Sequence, residues 1–242
     1  MAREHPRCSL VIDPSLAFHG GIRAALVWAY GLPSCPKTEV APAFLAELLE
    51  RVRAEGEAFL SPDRKAAVRD MLRFGKYKPA GRAKPSSEYL LSAAVAGEAL
   101  PGLFPLVNGP VDANNAVSLE WGYPASVFDA AKTGVELFLR RGAAGESYVF
   151  NPSGQAIELE DLLVVCRRGA AGEDRAWEPC GNPVKDAMAT KVFEDARDVL
   201  AVVYAPATEE RERLEACAGR LADLLKTQCG AAESGYSIVE GK

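Results

Sequence analysis

Histidine is nearly missing from this chain: its 242 residues contain two, His5 and His19. Both lie near the N-terminus, so the sequence offers no basis for a serine–histidine–acid triad, and a zinc site resting on imidazole is not supported. The six cysteines (Cys8, Cys35, Cys166, Cys180, Cys217, Cys229) are scattered with no C-x-x-C pair. That pattern fits reduced thiols packed as small hydrophobes rather than a disulfide framework. No apolar run approaches the ~18–20 residues that a membrane span needs. The opening MAREHPRCSLVID lacks the apolar stretch of a signal peptide, so a cytoplasmic protein with no membrane partner is expected. Neither a Walker loop nor a G-x-G-x-x-G after a strand is found, and no cofactor is expected. Positive charge is not in excess. The net charge is −5 and the pI about 5.3, which argues against a nucleic-acid coat but leaves room for a local basic surface.

What the chain does have is apolar material, 48% of its residues, enough for a sizeable core. Residues 8–12 read as a first strand. Residues 22–30 (IRAALVWAY) read as a second, apolar nearly throughout and so covered on both faces. Within 43–59, Phe44, Leu45, Leu48, Leu49 and Val52 recur at helical spacing. A second helix starts at Ser61 as N-cap, with Pro62 and Asp63 in its first turn, and runs to Phe74. Ser86 or Ser87 caps a third helix that ends near Gly97, and 100–110 is loop. Short runs at 135–139, 147–150, 155–159 and 162–166, separated by glycine turns, read as strands. Residues 177–190 form an irregular polar stretch, and 199–205 (VLAVVYA) a buried strand. A last helix capped by Thr208 buries Leu214, Cys217, Ala218, Leu221, Leu224 and Leu225. Gly230 ends it, and the tail beyond Ala231 is expected to be loose. RRGAAGE occurs twice, at 140–146 and 167–173. The flanks differ, so the repeat is local similarity and not a duplicated domain.

The sharpest electrostatic feature lies at positions 64–84. Arg64, Lys65, Arg69, Arg73, Lys76, Lys78, Arg82 and Lys84 are opposed only by Asp70, a local excess of seven positive charges in an acidic protein. Lys65, Arg69 and Arg73 recur every four residues and share a helix face. Such a cluster serves as an ordinary solvated face, or it supplies the phosphate contacts on which sequence-independent RNA affinity rests. From Lys65 onward these residues are the candidate RNA contacts.

Residues 111–129, VDANNAVSLEWGYPASVFD, mix small polar side chains with aromatic and apolar ones, and neither helical nor strand periodicity runs cleanly through them. The segment reads as irregular backbone held by its own hydrogen bonds and lining a pocket, with a helical turn at 116–121. Asp112 and Asn115 read as anchors of that loop, and Ser118 and Ser126 as the groups nearest a ligand. Val117, Leu119, Tyr123 and Phe128 supply apolar wall. Lys185, Asp186 and Thr190 are candidates for a second wall. Cys180 has no adjacent base and reads as inert.

These residues also carry a family resemblance. VDANN, the Ser-Leu step, the Gly-aromatic-Pro step and Phe128-Asp129, with KPSSEYL at 84–90 before them and RRGAAGE at 140–146 after, resemble the B3/B4 domain. That is the tRNA-binding and editing domain of the phenylalanine–tRNA ligase beta chain, which also occurs as free-standing proteins. The similarity covers roughly residues 75–205. It implies one compact α+β domain, with short strands at 135–205 in the centre and helices outside. Residues 1–74 would add a strand pair and helices packed on the same fold, and 206–242 an amphipathic helix with its tail.

The resemblance further implies aminoacyl-tRNA as partner and, as activity, hydrolysis in trans of a wrongly attached amino acid. Aminoacylation is not implied, because only the editing domain is resembled. By position, Asp112, Asn115, Ser118, Ser126, Asp129 and Glu146 would be catalytic. Tyr123, Pro124 and Arg140 would hold substrate, together with Lys185, Asp186 and Thr190. One departure stands out: ligase domains often carry a histidine where this chain has Ser126. A neutral hydroxyl cannot take the proton that an imidazole can. The alternative expectation is therefore a non-catalytic RNA- or small-ligand-binding module. Read without the resemblance, Asp112, Asn115 and Asp129 hold turns, and Arg140 and Glu146 pair across one.

Overall fold

The two most continuous apolar runs of the chain pair with each other, and a computed structural model of residues 8–18, 21–97, 104–169 and 176–241 shows what is built around them. The strands, in order, are β1 (Ser9–Ile12), β2 (Ile22–Tyr30), β3 (Ala125–Asp129), β4 (Glu136–Arg141), β5 (Ser147–Val149), β6 (Ala156–Glu158), β7 (Leu163–Arg168), β8 (Trp177–Gly181), β9 (Val199–Pro206) and β10 (Glu233–Glu240). The helices are α1 (Ala43–Glu55), α2 (Pro62–Leu72), α3 (Ser86–Ala96), α4 (Gly109–Trp121), α5 (Ala130–Thr133) and α6 (Arg211–Thr227). Strands β2 and β9 run antiparallel, from Ile22 opposite Pro206 to Ala29 opposite Val199. β10 adds to the outer edge of β2 and β3 to the outer edge of β9, giving the antiparallel order β10-β2-β9-β3. A second sheet has the order β1-β4-β7-β8, with β1 parallel to β4 and the other pairs antiparallel. β5 and β6 form a separate hairpin. The architecture is a single compact α+β domain, as expected.

Helix α6 keeps the amphipathic pattern of its sequence. Leu214, Cys217, Ala218, Leu221, Leu224 and Leu225 are buried on the side facing β2 and β10. Helix α4 is different, because it is buried on two sides. Ala113 and Val117 belong to the main core with the sheets, whereas Ala116 and Leu119 belong to a second cluster with Leu45, Leu49, Leu90 and Leu91 of α1 and α3. A helix enclosed in this way has no solvated stripe and hence no 3.6-residue polarity signal. Its ends are nevertheless marked. Asn108 Oδ1 accepts from the Val111 N–H at 3.2 Å, and Gly122 closes the helix at φ +75°, where a side chain would be strained and would also meet Arg64 and Leu60.

Several expectations are corrected. The stretch 111–129 is a helix and a strand rather than an irregular loop. The first two strands are not a pair: β1 joins β4 and β2 joins β9. The centre of the fold is therefore not confined to 135–205, since β2 lies inside the main sheet. Residues 177–181 form β8 rather than irregular chain. Neither Ser86, Ser87 nor Thr208 caps its helix through a side chain; Pro85 and Glu210 hold those positions. The second RRGAAGE runs from the end of β7 into 170–173, outside the described residues.

The tail beyond Ala231 is not loose. Residues 233–240 pair over their whole length with β2, from Glu233 opposite Tyr30 to Glu240 opposite Arg23, and Ile238 and Val239 pack against the core. Deleting residues 232–242 should therefore cost roughly 2–4 kcal/mol of stability, from lost apolar burial and ladder hydrogen bonds. Chemical denaturation measures it. An unchanged midpoint would mean that the strand contributes nothing.

Candidate functional site

Strand β3 lies at the edge of its sheet, yet all five of its residues are buried. Its outward backbone groups cannot reach water, so side chains must satisfy them. Asn114 on α4 donates from Nδ2 to the Ala125 carbonyl at 3.2 Å. Asp186 lies against the same edge, its charged form favoured by the nearby Val127 and Asn182 N–H groups and the Ser126 hydroxyl, although its buried Oδ1 has no hydrogen-bond partner among the described residues. Between α3, α4, this strand edge and the segment 182–194 lies a cavity of about 500 Å³. Its walls are mainly apolar, with Val107, Val111, Val127, Val184 and Val192 among them, and its polar groups include Asn115, Lys185, Asp186 and Lys191. That composition is typical of a small-molecule site.

The far wall is held by an unusually complete set of local bonds. Asn182 Oδ1 accepts from the Val184 and Lys185 N–H groups, both at 2.8 Å, which fixes the turn around Pro183. Asn182 Nδ2 donates to the Tyr148 hydroxyl at 2.6 Å, and that hydroxyl donates to the Lys185 carbonyl at 2.7 Å. Lys191 donates to the Phe150 carbonyl at 2.7 Å, and the Lys185 ammonium sits 4.0 Å from the centre of the Phe150 ring. The hairpin formed by β5 and β6 thus clamps the segment that carries both lysines. Gly181 lets Asp186 approach this closely: a Cβ there would come within 2.6 Å of Asp186 Oδ1 and within 2.5 Å of the Phe128 ring.

Burial pushes the Asp186 carboxyl up to about 7, against the lowering influence of its hydrogen bonds and of Lys191. Burial also lowers the Lys191 ammonium, with Asp186 acting in the opposite direction. The cavity therefore has beside it an acid able to take or give a proton at neutral pH, which is a physical mark of functional sites.

Of the sequence candidates, Asn115, Lys185 and Asp186 line this cavity, and the others are committed elsewhere. Asp112 is fully buried and accepts from the Val107 N–H at 2.8 Å. Ser118 donates to the Tyr123 carbonyl at 2.7 Å, holding the turn that follows α4. Thr190 donates to the Cys180 carbonyl at 3.0 Å. Asp129 caps α5 through the Ala131 N–H at 3.0 Å and pairs with Lys132 at 2.8 Å. Pro124 accepts from the Tyr204 N–H, and the Tyr123 hydroxyl accepts from Arg64 at 2.8 Å. Arg140 and Glu146 make a two-bond ion pair, 2.6 and 2.8 Å, across the RRGAAGE turn.

The expected division between Asn115 and Ser126 is exchanged. Asn115 is half-buried at the cavity wall, whereas Ser126 is fully buried, 2.9 Å from the Tyr204 hydroxyl. Asn114 and Lys191 were not among the candidates. The Asn-Asn step carried a signal for Asn114, but Lys191 had none.

The basic stretch is largely neutralised in space. Arg64 pairs with Glu209, Lys65 with Glu57, Arg69 with the buried Glu88, Arg73 with Asp70 and Lys76 with Glu160. Among the described residues, Lys78, Arg82 and Lys84 are left without a carboxylate partner. They lead directly to Ser86, which lines the cavity and whose N–H donates to the Pro183 carbonyl at 2.8 Å.

Ser126→Ala should cost about 1–3 kcal/mol, since it strands buried partners, while Asn115→Ala should be nearly silent in stability. Thermal and denaturant unfolding of the two variants checks the exchange, and the reverse order would contradict it. Asp186 supplies a pH test. Its raised folded-state value means that the fold favours the protonated acid. That contribution is fully present below the ordinary value of 3.8 and is lost as pH rises through about 7. Asp186→Asn should thus gain stability over wild type on the order of 1–2 kcal/mol at pH 8, and little or nothing at pH 4. A gain that does not grow with pH would mean that Asp186 titrates in the ordinary carboxylate range. No family model matches the chain, and no curated protein sequence matches it.

Proposed function

We propose that this cavity receives the aminoacyl end of a charged tRNA and that the protein hydrolyses the ester in trans. The observation that carries the reading is Asp186, a carboxyl poised near neutrality on the wall of a cavity of amino-acid size, opposite Asn115 from the segment that resembles the B3/B4 domain. In this reading a water oxygen bonds to the ester carbonyl carbon while Asp186 accepts the water's proton. The bond to the ribose oxygen then breaks, and that oxygen takes the proton back. A base matched to the operating pH serves such a step well. Lys185 and Lys191 stand by to stabilise negative charge that develops on the carbonyl oxygen. Lys78, Arg82 and Lys84, at the approach to Ser86, are the candidates for phosphate contacts.

A specific observation favours the second reading, a module that binds without hydrolysing. Ser126, at the place of the family's histidine, is sealed against Tyr204 and does not face the cavity. One experiment separates the two readings: deacylation of a panel of mischarged tRNAs, run beside tRNA binding. Hydrolysis that falls at least about 100-fold in Asp186→Asn supports the first. Intact tRNA binding with no hydrolysis of any ester supports the second. In either case, changing Lys78, Arg82 and Lys84 to Glu should weaken binding similarly across tRNA species. It should also lower the slope of log affinity against log salt by about one per lost contact. No tRNA binding at all would remove both readings.

A further inference from the structure

The charged residues that line the cavity are not balanced. Three are lysines, Lys37, Lys185 and Lys191, and two are carboxylic acids, Asp186 and the exposed Glu194 at the rim. Lys37 reaches Glu39 at 3.8 Å. The other two lysines make no ion pair among the described residues. Instead both gather around one residue, Phe150, Lys191 on its carbonyl and Lys185 over its ring. An ammonium has three donors, so the single bond of Lys191 leaves two free. A half-buried lysine held this way costs stability, and such an arrangement is expected where an anion is to be bound. Two aromatic rings also line the cavity, Tyr89 on α3 and Phe193, yet are 55% and 45% exposed, and Lys132 Nζ lies 4.6 Å from the centre of the Phe193 ring. Exposed rings at the lip of an apolar cavity offer stacking surface to a planar group.

We propose that the ligand of this cavity is an anion with a planar or apolar body, its negative group seated against Lys191 and Lys185 and its body held by Tyr89 and Phe193. The inference rests on the reading of the cavity as a ligand site and not on hydrolysis. With tRNA as ligand, the anion is a terminal phosphodiester and the planar body a base. A free aromatic carboxylate would make the same contacts.

Asp186 gives the proposal a pH signature. The groups facing it are Lys191, the Ser126 hydroxyl, Tyr148 of β5, Cys180 of β8 and Tyr204 of β9. Burial pushes both tyrosines and the thiol up, so they stay neutral around pH 7. Asp186 is then the neighbour that changes charge there, and its carboxylate competes with an incoming anion for Lys191. Anion affinity should fall as pH rises from 6 to 8, and binding at pH 7 should take up protons.

Titration calorimetry of the full chain at pH 6 tests the proposal with two matched pairs: adenosine monophosphate against adenosine, and 3-phenylpropionate against 3-phenylpropanol. The charged member should bind at least about tenfold more tightly in one pair or both, and Lys191→Met should erase the difference. Preference confined to the first pair identifies a nucleotide, and preference confined to the second a free carboxylate. Equal binding of charged and neutral members, or binding of none of the four, overturns the inference. Should Lys191→Met fail to fold, the wild-type pH series decides. Affinity that declines toward pH 8 with proton uptake supports the proposal, and affinity flat across that range overturns it. Anion preference without deacylation of any charged tRNA would sink the hydrolase reading alone. Deacylation without anion preference would sink this inference alone.

Discussion

The outer edge of β3 is the constraint on which the site depends. An edge strand ordinarily leaves its free N–H and C=O groups to water, but every residue of β3 is buried. Two side chains stand where a neighbouring strand would, Asn114 bonded to the Ala125 carbonyl and Asp186 placed beside the Val127 N–H. Each comes from a different element, so the helix and the 182–194 segment are both drawn against the same edge. The space left between them is the cavity. The raised value of Asp186 has the same origin: a carboxyl recruited to serve buried backbone is itself buried, and its charged form loses hydration that its hydrogen bonds only partly replace.

How much of this was legible in the sequence follows from burial geometry. β2, β9 and α6 were readable because a fully apolar strand and a one-sided helix each have a distinct pattern, and their buried positions are those expected. Helix α4 lost its period because both flanks meet apolar neighbours, one belonging to the sheets and one to α1 and α3. Strand β10 was missed for the opposite reason. Glu233, Ser234, Gly235 and Ser237 make it polar, and it is ordered by long-range partners, β2 beside it and α6 over it. The 182–191 wall was glimpsed through Lys185 and Asp186, but Lys191 carried no local signal. Its position depends on Phe150, forty-one residues earlier in the chain.

Charge counted along the chain misled for a related reason. Between positions 64 and 84 the sequence shows a single acid, but the fold brings Glu57, Glu88, Glu160 and Glu209 against that stretch. Arg69 and the buried Glu88 share two bonds, so this pair belongs to the packing of α2 on α3 rather than to an open basic surface. The cations left without a carboxylate among the described residues, Lys78, Arg82 and Lys84, follow α2 in sequence and precede Ser86, which lines the cavity.

The same reasoning explains why Lys185 and Lys191 matter more than their number suggests. Elsewhere in the molecule, the half-buried cations Arg64, Arg69 and Arg140 are matched to carboxylates, and Arg141 to three backbone carbonyls. At the cavity the carboxylate within range is Asp186, already engaged by β3 and held near the midpoint of its titration at pH 7. An acid that serves both a strand edge and a lysine cannot fully neutralise the lysine. Part of the positive charge therefore stays directed at the cavity, and its size is set by how strongly the strand edge holds the proton equilibrium of Asp186. The hydrogen bonds that complete the sheet and the electrostatics of the site are in this way one balance. A substitution that loosens β3 would alter the charge in the cavity without touching a lysine.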